Sequence, residues 1–245
     1  MKSKPIIAVI PARHASTRFP GKPLALIYGK PLLQWVWEGA NKARKIDRVI
    51  VATDDDRISV AAERFGAEVI KTRHDHPSGT DRIAEATSGM EAGWILNIQG
   101  DEPLIEGSLL DEWIEGFQPP FGMTTVATPL SEPSDLQKPD IVKVSFDQQG
   151  RALGFQRQVP LGQDKDWKYQ HVGLYAYTPE TLRKFVSIPP SPGEQRDRLE
   201  QLRALENGIA IQVLPLTFLF VGVDTPGDVP RAERALANRA TSVSK

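Results

Sequence analysis

"RVIVATDDDRISVAAERFGAEVIKT", residues 48–72, sets two short apolar runs on either side of a helical stretch. "RVIVAT" reads as a buried strand, "DRISVAAERFG" as an amphipathic helix that Gly66 ends, and "AEVIKT" as a second strand. Strands joined through a helix run parallel, because the crossover returns the chain to the same end of the sheet. Toward the N-terminus, "PIIAVI" is another buried strand and "PLLQWVWEGANKARK" a helix opened by Pro31, which completes a βαβαβ order. In the other direction follow "TDRIAEATSGM" as helix, "WILNIQ" as strand and "SLLDEWIEGF" as helix. The first half is thus expected to be an α/β fold: an open, mostly parallel Rossmann-like sheet with helices on both faces. Such sheets bind ligands at the carboxyl ends of their strands.

The second half has a different grain. "MTTVATPL", "VKVSFD", "ALGFQRQVP" and "YQHVGLYAYT" are strand-like, separated by Pro-rich connections and a turn at Gln149-Gly150, which predicts an antiparallel insertion. "PETLRKFVSI" and "GEQRDRLEQLRALENG" read as helices, the latter with Leu199, Leu202 and Leu205 on one stripe and Gly208 as a stop. "IAIQVLP" and "FLFVGVD" read as strands, and "TPGDVPRAERALANR" as a last helix. The whole is expected to be one domain, 1–245.

Composition narrows the function. Thirty Lys plus Arg nearly balance 31 Asp plus Glu, so no overall basic field exists to hold nucleic acid or an anionic membrane, and a small ligand is the expected partner. With no cysteine there are no disulfides, thiolate zinc sites or cysteine nucleophiles. No leader-like cleavage pattern follows the first apolar run, so the expected compartment is the cytoplasm.

The loop after the first strand, "IPARHASTRFPGKPL" from Ile10 to Leu24, brings Arg13, Arg18 and Lys22 together and is stiffened by Pro11, Pro20 and Pro23. Preorganised cations at a strand's end suit a polyphosphate. It is not a P-loop, since Pro23 follows Gly21-Lys22 and Ser16 stands where that motif begins with glycine. Two acids sit at comparable strand ends, Asp101 in "NIQGDEP" and Asp224 in "VGVDTP". Either alone suits a helix N-cap, Asp224 especially; together they suit magnesium, a hard ion that takes its other ligands from water and phosphate. His74 and His76 have no third partner and are assigned no metal.

In order along nearly the full length, "IPARHASTRFPGKPL", "VATDDDRI", "SGTDRIAEA", "NIQGDEPLI", "HVGLYAY", "LEQLRALENG" and "GVDTP" resemble the 3-deoxy-manno-octulosonate cytidylyltransferase family. The resemblance implies a nucleotide-diphospho-sugar transferase type of fold and transfer of a cytidylyl group from CTP to the sugar acid Kdo, with release of pyrophosphate. It also implies Mg2+ and a homodimer that serves lipopolysaccharide synthesis in Gram-negative bacteria. It places Arg13 and Lys22 on the triphosphate with Arg18 as a further cation, Asp101 and Asp224 on magnesium, Arg73, Ser78 and Gly79 near the cytosine, and Gln99 near the ribose. For the sugar acid it selects Arg157, His171, Tyr175, Glu200 and Gln201. A carboxylate calls for a fork of donors and vicinal hydroxyls for mixed donors and acceptors. Residues 1–118 would then be mainly nucleotide-binding, 119–208 mainly sugar-binding and dimerising, and 209–245 would complete the metal site. Read without the resemblance, Ser78 and Thr80 cap a helix, Glu200 pairs with Arg203 on a solvated helix face, and Tyr175, on an alternating strand, equally suits the core.

The chain departs from the family at Gln156, where serine is expected, at Leu161, where an aromatic is usual, and at Gly193, where leucine is. All three fall in the sugar half, which leaves 8-amino-8-deoxy-Kdo or a related nonulosonic acid as the alternative substrate. Two other classes share the fold: a metal-dependent glycosyltransferase using Asp54 and Asp56 as an Asp-x-Asp pair, and a non-catalytic nucleotide sensor.

Overall fold

A computed structural model describes residues 4–15, 18–160, 162 and 164–243; Ser16 and Leu161 lie outside them. In chain order the elements are β1 (Ile6–Ala12), β2 (Leu26–Ile27), β3 (Lys30–Pro31), α1 (Leu32–Ala40), β4 (Arg48–Thr53), α2 (Asp56–Arg64), β5 (Glu68–Lys71), α3 (Gly79–Ala86), β6 (Trp94–Asn97) and α4 (Gly107–Glu115). They continue as β7 (Met123–Pro129), β8 (Lys143–Phe146), β9 (Ala152–Gln156), β10 (Tyr169–Tyr177), α5 (Pro179–Ser187), α6 (Pro192–Asp197), α7 (Gln201–Glu206), β11 (Ile211–Pro215) and α8 (Val229–Val243). The chain divides into two compact units, Met1–Glu112 with Leu219–Lys245, and Trp113–Phe218.

In the first unit β1 lies between β4 and β6, and β5 lies outside β4, all parallel. Ile7 to Ile10 of β1, Ile50 to Ala52 of β4 and Leu96 of β6 are almost wholly buried. Strands covered on both faces are free of the polar alternation of a half-exposed sheet, so they read as unbroken apolar runs. Each such Val, Ile or Leu contributes about 1.5–3 kcal/mol by burial. α2 starts where the Asp55 carboxylate accepts the Arg57 amide hydrogen at 2.9 Å. α1 stops at Ala40, short of the predicted Lys45, because the Arg44 and Lys45 amides donate to the Asp111 carboxylate at 3.1 and 2.8 Å instead of to the helix.

The second unit is the expected antiparallel insertion with one parallel strand added. β7 pairs antiparallel with β10 and parallel with β11, and β8 pairs antiparallel with β10 and β9. Two sequence expectations fail here. The stretch 193–208 is two helices, α6 and α7, because Arg198 takes a left-handed conformation with φ 54° and ends α6. "FLFVGVD" forms no strand; its Val221 and Val223 pack with Ile27, Leu32, Leu104 and Ala232 in a small core of the first unit. That core ties the loop after β1, the loop after β6, the segment before α8 and α8 itself to one another, and so mounts the site described next. No helix among the described residues is long and apolar enough to cross a membrane.

Candidate active site

The loop after β1 turns back on itself at Gly21, whose φ of 73° favours a residue without Cβ. The Gly21 amide donates to the His14 carbonyl at 2.9 Å and the Lys22 amide to the Phe19 carbonyl at 3.0 Å, which aims the Lys22 side chain. Its Nζ lies 2.8 Å from Asp101 Oδ2 and 3.3 Å from Asp224 Oδ1, and Arg18 reaches the same Asp224 oxygen at 3.0 Å. Burial alone would lower the Lys22 pKa; Asp101 and then Asp224 outweigh it and leave the pKa raised, so the ammonium is firmly charged.

Neither acid caps a helix. The turn Pro226–Asp228 that leads into α8 is capped by Thr225, with Asp228 as its capping-box partner accepting from the Asp224 and Thr225 amides at 3.1 and 2.9 Å, so the Asp224 carboxylate is left to Lys22 and Arg18. No helix begins at Asp101; its carbonyl accepts the Val223 amide at 2.9 Å, which pins the two acid-bearing segments together. The sequence reading missed Glu102. It is buried, and burial followed by the charge of Asp101 raises its pKa well above the usual carboxylate range.

Asp101 and Asp224 present two hard oxygen donors to one cationic position, filled here by an ammonium, and the described residues offer no cluster of three or more His, Cys, Asp or Glu ligands. That donor set fits magnesium, which keeps waters and binds phosphate oxygens alongside one or two carboxylates. The Asp-x-Asp spacing of a glycosyltransferase brings no shared cation here: Asp54 lies 2.9 Å from Arg82 and the exposed Asp56 2.6 Å from Lys71, two different partners.

A cavity of about 80 Å³ lies beside this loop, lined by Pro11, Arg13, His76, Ser78, Arg82 and Gln99 among others. Gly79 also lines it, and a Cβ there would approach Pro11 to 3.3 Å. Ser78 caps α3, accepting the Thr80 and Asp81 amides at 3.1 and 3.2 Å. Gln99 donates its amide hydrogen to Asn97 at 3.3 Å. Arg73 is exposed, 3.5 Å from Glu85, and is not among the lining residues. His76 and Arg82 are, and neither was singled out for the base from sequence.

In the second unit the Arg157 guanidinium is engaged by carbonyls: Nε with Asp197 at 2.7 Å, NH1 with Pro139 at 3.1 Å and NH2 with Arg198 at 3.2 Å. The carbonyls of Asp197 and Arg198 are available because α6 breaks there. His171 stacks edge-on to Phe155 and lies 5.3 Å from Tyr175, ring to ring, with Nε2 3.0 Å from Thr125 Oγ1. Tyr175 and Gln201 are buried; Glu200 lies 3.6 Å from Arg203 as the i, i+3 reading expects, but Arg203 is buried and also pairs with Glu194, so the face is not a solvated one. At the departure Gly193 the amide donates to the Glu206 carboxylate at 3.2 Å, and a Cβ there would crowd that carboxylate. The departure at Gln156 leaves its Oε1 buried and without a hydrogen-bond partner among the described residues, at the edge of a cleft of about 710 Å³ that Arg157 also lines.

Burial lowers the His171 pKa from 6.5 to about 3. Folding then favours the neutral ring, so its contribution to stability is intact above pH 6.5 and is lost as the pH falls toward about 3, where the unfolded chain alone has taken up the proton. The urea midpoint of His171→Gln is expected to fall less steeply with acidification than that of the wild type. Parallel curves would mean that His171 is not buried as a neutral base.

Comparison with known proteins gives one answer. The model of a cytidylyltransferase family matches residues 7–211. The chain is 44% identical to the 3-deoxy-manno-octulosonate cytidylyltransferase of Syntrophotalea carbinolica, over 94% of this chain and 98% of that one. It is 46% identical to that of Geobacter sulfurreducens, over 92% and 97%. A solved CMP:2-keto-3-deoxy-manno-octonic acid synthetase complexed with CTP superposes with a TM-score of 0.89 at 36% identity, covering 96% of this chain and 99% of that one. An inositol-1-phosphate CTP transferase from T. maritima, at 17% identity and a TM-score of 0.67 over 91% and 90% of the two chains, shares the fold.

Proposed function

The chain belongs to the 3-deoxy-manno-octulosonate cytidylyltransferase family, and from that premise we propose how its own residues transfer the cytidylyl group of CTP to Kdo. The anomeric hydroxyl oxygen of the sugar acid bonds to the α-phosphorus as the bond from that phosphorus to the bridging β-oxygen breaks. Pyrophosphate leaves in line, and the hydroxyl proton passes to solvent. No protein nucleophile takes part, so positioning and charge stabilisation supply the rate.

The meeting of Lys22 with Asp101 and Asp224 carries this reading. In the ligand-free protein the ammonium bridges both acids, with Arg18 supplying a second positive charge on Asp224; with CTP bound it turns to the phosphates, where Arg13 and Arg18 join it against the charge that builds on departing pyrophosphate. Asp101 and Asp224 are then free to hold magnesium, which when bound polarises phosphate oxygens and neutralises the triphosphate. Ser78, Gly79 and Gln99 contribute to the nucleoside site, with Arg73 at its exposed edge. Arg157, His171, Tyr175, Glu200 and Gln201 bind the sugar acid, the enzyme acting as a cytoplasmic homodimer.

Pyrophosphate release from CTP tests the reading against Kdo, 8-amino-8-deoxy-Kdo and sialic acid, with and without magnesium. Magnesium-dependent release with Kdo is expected; release without any sugar acid, or none with all three, would overturn it, and sedimentation of the same preparation tests the dimer. The Arg157 role has its own test. To take the substrate carboxylate, NH1 and NH2 must exchange the Pro139 and Arg198 carbonyls for it while Nε stays on Asp197. A lysine cannot do both, so Arg157→Lys should lose about 1–3 kcal/mol in kcat/KM for the sugar acid, with CTP affinity by calorimetry nearly unchanged. Loss of CTP affinity instead would reassign Arg157 to a structural role.

A further inference from the structure

The small cavity beside Gly79 holds an unused selector. By the rule that one water takes about 10–15 Å³ of such space, its roughly 80 Å³ accommodates about five to eight heavy atoms, the scale of a single pyrimidine with its two exocyclic atoms and less than a purine needs. Size alone therefore admits cytosine and uracil equally. The two bases differ at position 4, where cytosine carries an amino donor and uracil a carbonyl acceptor. Discrimination needs a polar atom in the lining that is committed to one sense of hydrogen bonding.

Two of the lining side chains face other duties. The Ser78 hydroxyl donates to Asp81 Oδ2 at 2.7 Å while capping α3, and Arg82 donates to Thr72 Oγ1 at 2.5 Å and pairs with Asp54. His76 is different. Its side chain is only 5% exposed and its Nε2 is hydrogen-bonded to the Glu85 carboxylate on α3. Glu85 is itself fixed by the Arg73 amide at 3.3 Å. Burial would raise the Glu85 pKa, but the bond from His76 and then that from the Arg73 amide outweigh it and leave it lowered, so the carboxylate is ionised and can only accept. Facing a group that can only accept, Nε2 is the nitrogen that carries hydrogen in this pair, which leaves Nδ1 as the ring atom able to accept.

We propose that His76, oriented by Glu85, reads the exocyclic amino group of the bound base and so selects cytosine over uracil. This rests on the cytidylyltransferase reading and adds to it the residue that sets base identity. Nδ1 accepts from the 4-amino group of cytosine, whereas the 4-carbonyl of uracil would set two acceptors against each other in a buried site. A site built to bond a donor rejects the analogue lacking it far more strongly than shape alone can.

The test is kcat/KM for CTP and for UTP, with Kdo and magnesium, in the wild type, His76→Phe and Glu85→Gln. The phenylalanine keeps a ring in the cavity but removes Nδ1; the glutamine leaves His76 in place but removes the fixed acceptor that sets its tautomer, which makes Glu85 a positioning residue. Both variants should lower the CTP to UTP ratio at least ten-fold, with most of the loss falling on CTP. A ratio that stays at the wild-type value in both, whether or not overall activity falls, would overturn the assignment, as a merely structural pair would weaken both nucleotides together. A wild-type enzyme that released no pyrophosphate from CTP would instead sink the reading underneath it, so the two failures are told apart.

Discussion

Asp101→Asn is expected to remove most turnover while leaving the protein folded. Asparagine keeps the size of the side chain and one acceptor oxygen, but it loses the charge that both Lys22 and a magnesium ion require. The backbone role of residue 101 is untouched, since its carbonyl still accepts the Val223 amide, and the side chain is a quarter exposed, so no large buried void opens. Loss of a fixed charge that holds the metal and the polarised phosphate corresponds to about 3 kcal/mol or more in the transfer step, a fall of over 100-fold. Pyrophosphate release measures the loss, a thermal melt checks the fold, and calorimetry with CTP present should show weakened magnesium binding. Turnover near the wild-type value would remove Asp101 from the metal site. Asp224→Asn should act in the same direction but less strongly, because Arg18 and Lys22 share that more exposed carboxylate.

Much of the fold was legible because burial on both faces leaves a plain trace. Ile6–Ile10 and Arg48–Thr53 could be read as parallel core strands without knowing their neighbours. Failures came where tertiary contacts overrode a local pattern. Leu199, Leu202 and Leu205 keep helical spacing across 193–208, but α6 ends at left-handed Arg198, and the Asp197 and Arg198 carbonyls left free there are taken by Arg157, about forty residues away in sequence and invisible to any window. "FLFVGVD" alternates like a strand because Val221 and Val223 do point into a core, one closed by α8 and the loop after β6 and not by a ladder.

The site divides in the same way. Arg13, Lys22, Asp101 and Asp224 could be picked out because charged residues stood after apolar runs that read as strands, where a crevice was expected, although the run before Asp224 is no strand. Which of them touch could not, nor that Thr225 with Asp228 relieves Asp224 of capping. Glu102 offered only its place beside Asp101. His76 and Glu85 stand nine residues apart on a loop and a helix, a spacing that carries no signal until the loop before α3 folds back over the helix and brings the ring to the carboxylate. Arg157 shows the converse: its motif was legible, but its engagement with three carbonyls was not.

Lys22→Ala should be damaged in two separable ways. In the transfer step the ammonium faces charge that grows on pyrophosphate as the bond breaks, so its removal should cost about 2–4 kcal/mol in kcat/KM for CTP. Arg13→Ala should share the direction of that loss. The second effect belongs to the protein without ligands. Lys22 is the cation that lies within 3.3 Å of both Asp101 and Asp224, and with it gone the two carboxylates stand beside buried Glu102 with Arg18 as the remaining ion-pair partner, on Asp224, among the described residues. Like charges left in a partly buried site repel, so the variant should melt below the wild type. Magnesium alone, without nucleotide, should then raise the melting temperature of Lys22→Ala more than that of the wild type, because in the wild type the ion must displace a tethered ammonium before it can reach both acids. If magnesium stabilises the two proteins equally, Lys22 does not compete for the metal position, and its part in catalysis reduces to holding phosphate. If kcat/KM for CTP is also unchanged, the loop from Pro11 to Pro23 is a stiff connector and the polyphosphate lies elsewhere.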